Sequence, residues 1–300
     1  MTDEDSSRPP RSWGPLPGPL DAPAPPASVE AEVGAYSRRG QGRAINDDHY
    51  LIVRIGRHLE TLLTNLPTGS VPTRFDEYGY GMAIADGMGA AGELASRLAV
   101  STLAHLAIYY GKQHVRVDEP IADEMIDRAE RFYRAIDSTL LHASRSGPPG
   151  LQTTLTVTYS AGTDLFFAHV GHSRAYLFRD GHLMRLTHDH TLERQTSGKA
   201  VLMDVAGSTR DLHHIVIETL GGAGADTRRI DIERTGLING DRLLLCTNGL
   251  TDVVDETLLA EALRSPQTPD EQCRALVDMA AADGIDDATA LVAHYRVHSI

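Results

Sequence analysis

Between residues 92 and 144 the chain carries two consecutive amphipathic stretches, and almost every other apolar residue falls in a short run of strand length. In residues 92–110 the apolar positions include Leu94, Leu98, Leu103, Leu106 and Ile108. In residues 120–144 they include Ile121, Met125, Ile126, Ala129, Phe132 and Ile136. Spacings of three, four and seven predict two helices, each packed by one face. Alternating or wholly apolar runs at 29–36, 49–55 and 79–85 precede them, and runs at 153–160, 165–170, 175–178, 230–234, 242–247 and 288–295 follow. A third helix is signalled by Thr268-Pro269-Asp270-Glu271, a capping threonine, a first-turn proline and a capping-box glutamate ahead of Ala275, Leu276 and Met279. Strands grouped with strands and helices with helices predict an α+β sandwich, not a parallel doubly wound sheet.

The 300 residues suffice for one large core. Residues 1–28 hold most of the prolines, among them Pro9, Pro10, Pro15, Pro17 and Pro19, with few apolar anchors; they are expected to form a disordered tail ahead of one domain at 29–300. No run approaches the roughly 18 apolar residues of a membrane helix, and the start Met1-Thr2-Asp3-Glu4-Asp5 lacks the basic and then apolar regions of a leader, so a soluble, cytoplasmic protein is expected. Cys246 and Cys273 have neither zinc-ligand nor disulfide-framework spacing and are read as buried thiols. A net charge of -13 argues against nucleic acid or an anionic membrane as partner, and is compatible with carboxylates gathered around cations.

Five segments place polar groups at the ends of predicted strands. Ile84-Ala85-Asp86-Gly87-Met88-Gly89 is a strand ending on an aspartate, then a glycine turn, then a helix. A carboxylate held at a strand end, beside a Gly87 carbonyl with no side chain in the way, suits a divalent cation, although Asp-Gly is also an ordinary turn dipeptide. Arg43 to Asp48 sets a forked phosphate-type donor close to the adjacent acids Asp47 and Asp48, which repel one another unless a cation or solvent relieves them; a solvated loop is the plainer reading. Around His169, His172, His182, His188 and His190 no first-shell zinc pattern is present, and surface and turn histidines account for most of them. Asn248-Gly249-Leu250-Thr251-Asp252 follows a buried strand, and Asp286-Asp287-Ala288-Thr289 introduces the last one. Each signal is weak alone, but convergent strand ends can build a cation cage from distant sequence.

In order and separation these segments resemble the metal-dependent serine/threonine protein phosphatase family, type 2C, in its compact bacterial form. The motifs that carry the resemblance are Gly42-Arg43 with Asn46-Asp47-Asp48, Ala85-Asp86-Gly87-Met88-Gly89, Thr153-Thr154-Leu155, Gly171-His172-Ser173-Arg174, Leu186-Thr187 with Asp189-His190-Thr191, Asn248-Gly249-Leu250-Thr251-Asp252 and Asp286-Asp287-Ala288-Thr289. The resemblance covers about residues 30–296 and implies two packed antiparallel β-sheets with helices outside. It implies two Mn2+ or Mg2+ ions at one edge, and hydrolysis of phosphoserine and phosphothreonine in proteins by a metal-activated bridging water. By position it makes Asp86 the bridging ligand, Gly87 and Asp48 ligands of one ion, Asn248 and Asp286 ligands of the other, and Arg43 the phosphate anchor. Residues 191–222 would form a flap. The implied partners are a phosphorylated protein substrate and a serine/threonine kinase.

Most catalytic members of that family carry aspartate where this chain has His172 and Asn248, and asparagine where it has Asp287. Asn248 keeps an oxygen donor but not the charge, which predicts weaker binding of a hard cation. His172 stands at the accessory third-metal position, where an imidazole favours softer ions over magnesium, or none. Asp287 is expected to restore some of the missing charge if its side chain turns inward, and Asp47 is a further candidate beside it. The alternative these substitutions support is a pseudophosphatase that binds a phosphoprotein or a kinase without turnover.

Overall fold

The computed structural model describes residues 28–112, 114–191, 216, 218–222 and 229–298; the proline-rich segment and most of the expected flap lie outside them. Strands β1 (Ser28–Arg38), β2 (Asp48–Glu60) and β3 (Arg74–Met88) lead into helices α1 (Gly92–Tyr110) and α2 (Glu119–Ser146). Strands β4 (Gln152–Thr153), β5 (Leu155–Ala161), β6 (Asp164–Val170), β7 (Arg174–Arg179), β8 (His182–Arg185), β9 (Asp231–Gly236) and β10 (Arg242–Cys246) follow. The chain continues through α3 (Asn248–Thr251), α4 (Glu256–Arg264), α5 (Pro269–Asp283) and β11 (Ala288–His298). One sheet runs β1-β11-β10-β7-β8 and the other β2-β3-β5-β6-β9, with β4 paired to β3. Every pairing is antiparallel.

Strand alternation sorts the side chains into three layers of core. Met82 and Ile84 of β3 meet Leu243, Leu245 and Leu291 of the opposite sheet between the two sheets. The intervening residues of that opposite sheet, Leu244, Cys246, Ala290 and Val292, pack outward against Leu259 of α4 and Cys273, Leu276 and Val277 of α5. Ala85, the next outward residue of β3, packs with Ala95 and Ala99 of α1 and Ile136 and Leu140 of α2. The result is a helix-sheet-sheet-helix sandwich, as the family resemblance implies. The capping box on Thr268 and Glu271 forms as expected, and Cys246 and Cys273 are free, buried thiols.

Among the differences from the sequence expectation, which include the short β8 and α3, two concern longer elements with weak signals. Strands β2 and β3 extend as a paired ribbon out to Glu60 and Arg74, beyond the expected ends at 55 and 79. The outer ribbon carries charged side chains such as Arg57, Glu60 and Arg74 and has no apolar face to reveal its period. Helix α4, capped by the Asp255 side chain on the Thr257 and Leu258 amides, is an additional element. No helix among the described residues is long and apolar enough to cross a membrane.

Candidate metal centre

The alternation that fills the layer between the sheets also determines what stands at its end. On β3 the inward residues Met82 and Ile84 are followed by Asp86, and antiparallel register sets Asp48 of β2 directly opposite Asp86. Beyond the inward Leu243 and Leu245 of β10 comes Thr247, and before the inward Leu291 of β11 comes Thr289. The inter-sheet core therefore ends in two carboxylates from one sheet facing two hydroxyls from the other.

The hydroxyls hold Asp48. Thr247 Oγ1 donates to Asp48 Oδ2 at 2.9 Å and Thr289 Oγ1 donates to the same oxygen at 2.6 Å. Asp48 Oδ1 is buried with no hydrogen-bond partner among the described residues. Burial, opposed by the two threonine bonds and reinforced by the charges of Asp287 and Asp286, pushes the Asp48 carboxyl up to about 8. Asp86 is likewise held well above the carboxylate range, first by burial and then by the Asp48 and Asp286 charges, with Arg43 opposing. Two acids in register at a dry edge resist joint ionisation unless positive charge arrives between them.

The backbone beneath Asp86 is clamped. Its N–H donates to Thr154 Oγ1 at 3.0 Å, and its carbonyl accepts from the Thr154 amide at 2.9 Å and the Thr153 hydroxyl at 2.8 Å. Gly87 N–H donates to the Asp47 carbonyl at 3.1 Å. A Cβ on Gly87 would lie 1.9 Å from the Gly92 carbonyl oxygen, so glycine is required here by the close approach of the first turn of α1, a constraint the sequence reading attributed to an ion. His172 Nε2 lies 4.0 Å from Asp86 Oδ2, on a turn whose Gly171 has φ 114°.

Arg43 and the two acids before β11 form the other wall. The Arg43 guanidinium is paired with Asp47 at 2.9 Å and with Asp286, and lies 3.6 Å from Asp287. Asp287 turns its two oxygens to the Gly40 and Asp47 amides, each at 2.8 Å. Both oxygens are engaged by the Gly40–Asp47 loop, so the condition under which Asp287 would restore charge, an inward turn of its side chain, is not met. Gly249 must be glycine because a Cβ there would meet the Asp287 carbonyl oxygen at 2.0 Å. That approach seats Asn248, the first residue of α3, beside Asp286 and Asp287. Asn248 Nδ2 donates to Asp252 at 3.2 Å, while Asn248 Oδ1 is buried with no partner among the described residues.

These positions bring Arg43, Asp47, Asp48, Asp86, Gly87, His172, Asn248, Asp286 and Asp287 to one edge of the sandwich. Thr247 and Thr289, which orient Asp48, were legible only as strand residues. The donor set is suited to a hard cation: two buried oxygens, Asp48 Oδ1 and Asn248 Oδ1, lack a partner, and the flanking groups are carboxylates. Among the described residues no three carboxylate, imidazole or thiol groups by themselves form a closed cage, so an ion here would complete its shell with amide or carbonyl oxygens and water. The histidines further in are committed elsewhere. His190 accepts the Gly171 amide at 3.3 Å and reaches Asp231 at 3.1 Å, and His169 is held by Thr156 at 2.8 Å and the Gly171 carbonyl at 3.0 Å. Burial, then the neighbouring His190, lowers His169 to about 3, which keeps it neutral.

A family model described as protein phosphatase 2C matches residues 73–288. The chain belongs to the protein phosphatase 2C family. Among curated relatives, the serine/threonine protein phosphatase PstP of Mycobacterium tuberculosis is 33% identical over 217 residues, 71% of this chain and 40% of that protein. This phosphatase 2C family member thus spans about two fifths of the length of the M. tuberculosis relatives it matches. The serine/threonine phosphatase stp of Listeria monocytogenes is 28% identical over 208 residues, 68% of this chain and 79% of that protein. Among solved structures, the catalytic domain of PstP in complex with two manganese ions superposes with a TM-score of 0.65 at 27% identity, covering 91% of this chain and all of that one. The crystal structure of M. tuberculosis PstP/Ppp gives 0.66 at 28% identity, covering 88% and 98%.

Proposed function

We propose that this family member hydrolyses phosphoserine and phosphothreonine monoesters in proteins, with two manganese or magnesium ions as cofactor. The observation that carries the reading is the Asp48–Asp86 pair: a buried and a part-buried acid in register, both held above the carboxylate range, with an unpartnered oxygen aimed at the same edge. That arrangement is costly for an idle surface and becomes favourable once cations neutralise it.

Asp48, Asp86, the Gly87 carbonyl, Asn248 and Asp286 are the residues proposed to hold the ions. When bound, the ions supply a nucleophilic water at neutral pH and neutralise charge on the phosphoryl oxygens. Asp86 presents its carboxylate from a backbone fixed by Thr153 and Thr154, and Asp48 is oriented by Thr247 and Thr289. The Arg43 side chain is 38% exposed, and its guanidinium would exchange Asp286 for a substrate phosphate, gripping it with forked donors. Asp287 holds the loop that carries Arg43 and Asp47 by accepting two of its amides. The substrate is a phosphoprotein, and a serine/threonine kinase acting on the same proteins is the corresponding partner.

The test is hydrolysis of an aryl phosphate and a phosphothreonine peptide across a manganese titration, with Asp86→Ala in parallel. Saturable, metal-dependent turnover lost in the variant is expected. Folded protein that binds the phosphopeptide at millimolar manganese without turnover would replace this reading with the pseudophosphatase.

A further inference from the structure

Arg43 and Asp47, which stand at the metal edge, also line an open groove of about 360 Å3. Glu93 is the other charged residue of its wall. Apolar surface comes from Ala44 and Ile45 of the Arg43 loop, Ala90 of the turn before α1, Leu94 of the first turn of α1, and Pro148 beyond the end of α2. The small side chains of Ala44 and Ala90 leave the space open, and Ile45, Leu94 and Pro148 border it with carbon. Ile45 is 59% exposed. A single exposed aliphatic residue is ordinary on a protein surface. Ile45 differs in that it borders an apolar groove, on a loop whose Gly40 and Asp47 amides are held by Asp287.

The charges of the wall are already committed. Asp47 pairs with Arg43 at 2.9 Å and also accepts the Glu93 amide. Glu93 pairs with Arg97 one turn further along α1 at 2.8 Å. Each acid of the groove therefore has its cation, and a basic side chain entering it would gain little beyond a screened surface pair. An apolar side chain would remove its own surface from water together with that of Ile45, Leu94 and Pro148.

We propose that this groove receives an apolar side chain of the phosphoprotein, one or two residues from the phosphorylated one, and so makes Ile45 a determinant of which phosphorylated sequences the site accepts. The occupant follows from continuity: the wall that bounds the groove carries Arg43, so a peptide whose phosphate is held there runs directly past Ile45 and Ala90. An extended peptide advances about 3.3 Å per residue, which limits the residue seated beside Arg43 to the near neighbours of the phosphorylated one. The inference rests on the reading of Arg43 as the phosphate anchor.

The experiment uses the manganese-loaded whole chain and phosphothreonine peptides in an alanine background, with leucine placed one, two or three residues to either side of the phosphorylated one, and lysine or glutamate in the same places. Each peptide is measured by kcat/KM, or by its dissociation constant in calorimetry where there is no turnover. Leucine at a position within two residues is expected to improve on alanine about tenfold, the effect of partly burying one aliphatic side chain. In Ile45→Asp, and in Ala90→Leu, which fills the groove, that leucine-to-alanine ratio should fall to near one; both side chains are exposed, so the fold tolerates the changes. A parent ratio near one at every position overturns the proposal, as does a larger gain from lysine or a leucine preference that both variants retain. If neither an aryl phosphate nor any peptide is turned over, the proposed hydrolysis fails, while the groove stands or falls on the same ratio of dissociation constants. Absence of any peptide binding overturns both.

Discussion

Replacing Asp48 by asparagine separates the stability of the site from its ability to hold cations. In the metal-free fold the Asp48 carboxyl titrates near 8 in place of its ordinary 3.8, so between these values the native state keeps a proton the unfolded chain has lost. Stability is then complete below about 4 and is lost as pH rises toward 8, at about 1.4 kcal/mol per unit. By pH 7 the loss reaches at most about 4 kcal/mol. Asp48→Asn cannot ionise and escapes this loss. Its amide oxygen can accept the Thr247 and Thr289 hydroxyls as Oδ2 does, but its NH2 would sit where Oδ1 has no partner, at a cost of about 1–3 kcal/mol. In chelator the variant should therefore be equal to or less stable than the parent near pH 5 and more stable near pH 8. The difference should change by about 4 kcal/mol across that span, on the order of 10 °C in melting temperature. Manganese should narrow the gap near pH 8 by stabilising the parent more than the variant, the parent by about 2.7 kcal/mol at a hundredfold excess over its dissociation constant. Differential scanning calorimetry at four pH values, with chelator and with manganese, measures all of this. A stability difference that stays flat from pH 5 to 8 would refute the claim that a buried, proton-holding Asp48 faces Asp86.

Three further outcomes follow from the same geometry. Asn248→Asp should tighten manganese five- to tenfold by calorimetry, the effect of about 1 kcal/mol expected for one carboxylate charge at a screened site; no gain would remove Asn248 from the ligand set. Arg43→Ala should lower kcat/KM for a phosphopeptide by about ten- to a hundredfold, mainly through KM, because it deletes charge-assisted bonds to phosphate of about 1.5–3 kcal/mol. Asp189→Asn should lower the urea midpoint at unchanged slope. Burial alone would raise the Asp189 carboxyl, but bonds from Arg174 and the charges of Arg174 and Arg185 hold it below its ordinary value. Asp189 is part-buried, so the loss of its charge should cost about 1–3 kcal/mol, less than for a fully buried pair.

Much of this was legible because burial and chemistry left marks of the right period. The α1 bounds were readable from its apolar spacing, and the Asp86 strand from an apolar run ending in Asp-Gly. What escaped had either no apolar face or no unusual residue. The outer β2–β3 ribbon has no hidden side. Helix α4 had its signal in Asp255 and in Leu259 and Leu263, which are fully buried, but it follows the short α3 so closely that the two periodicities blur. Thr247 and Thr289 look like ordinary strand threonines, and only the opposition of the two sheets shows that both point at Asp48. Gly87 was read as leaving its carbonyl open to an ion and Gly249 only as part of a motif, whereas both are required by close approaches of backbone to backbone.

The positions that depart from the usual family pattern are better understood together than singly. Where an aspartate is usual this chain has Asn248, and where an asparagine is usual it has Asp287, so the number of formal charges on these two segments is unchanged while their placement differs. The structure shows where the charge went. Asp287 does not stand in for the missing ligand; it accepts the Gly40 and Asp47 amides and lies near Arg43. An amide at position 287 offers only one acceptor oxygen, and its NH2 would face a backbone donor, so the carboxylate there makes the Arg43–Asp47 loop more rigid. On the ligand assignment proposed above, the exchange would move negative charge from an ion to the loop that carries Arg43. The consequence expected of the proposed site is weaker cation binding, with Arg43 and Asp47 held in fixed places before any ion or substrate arrives and the ordering entropy of that loop already spent in folding.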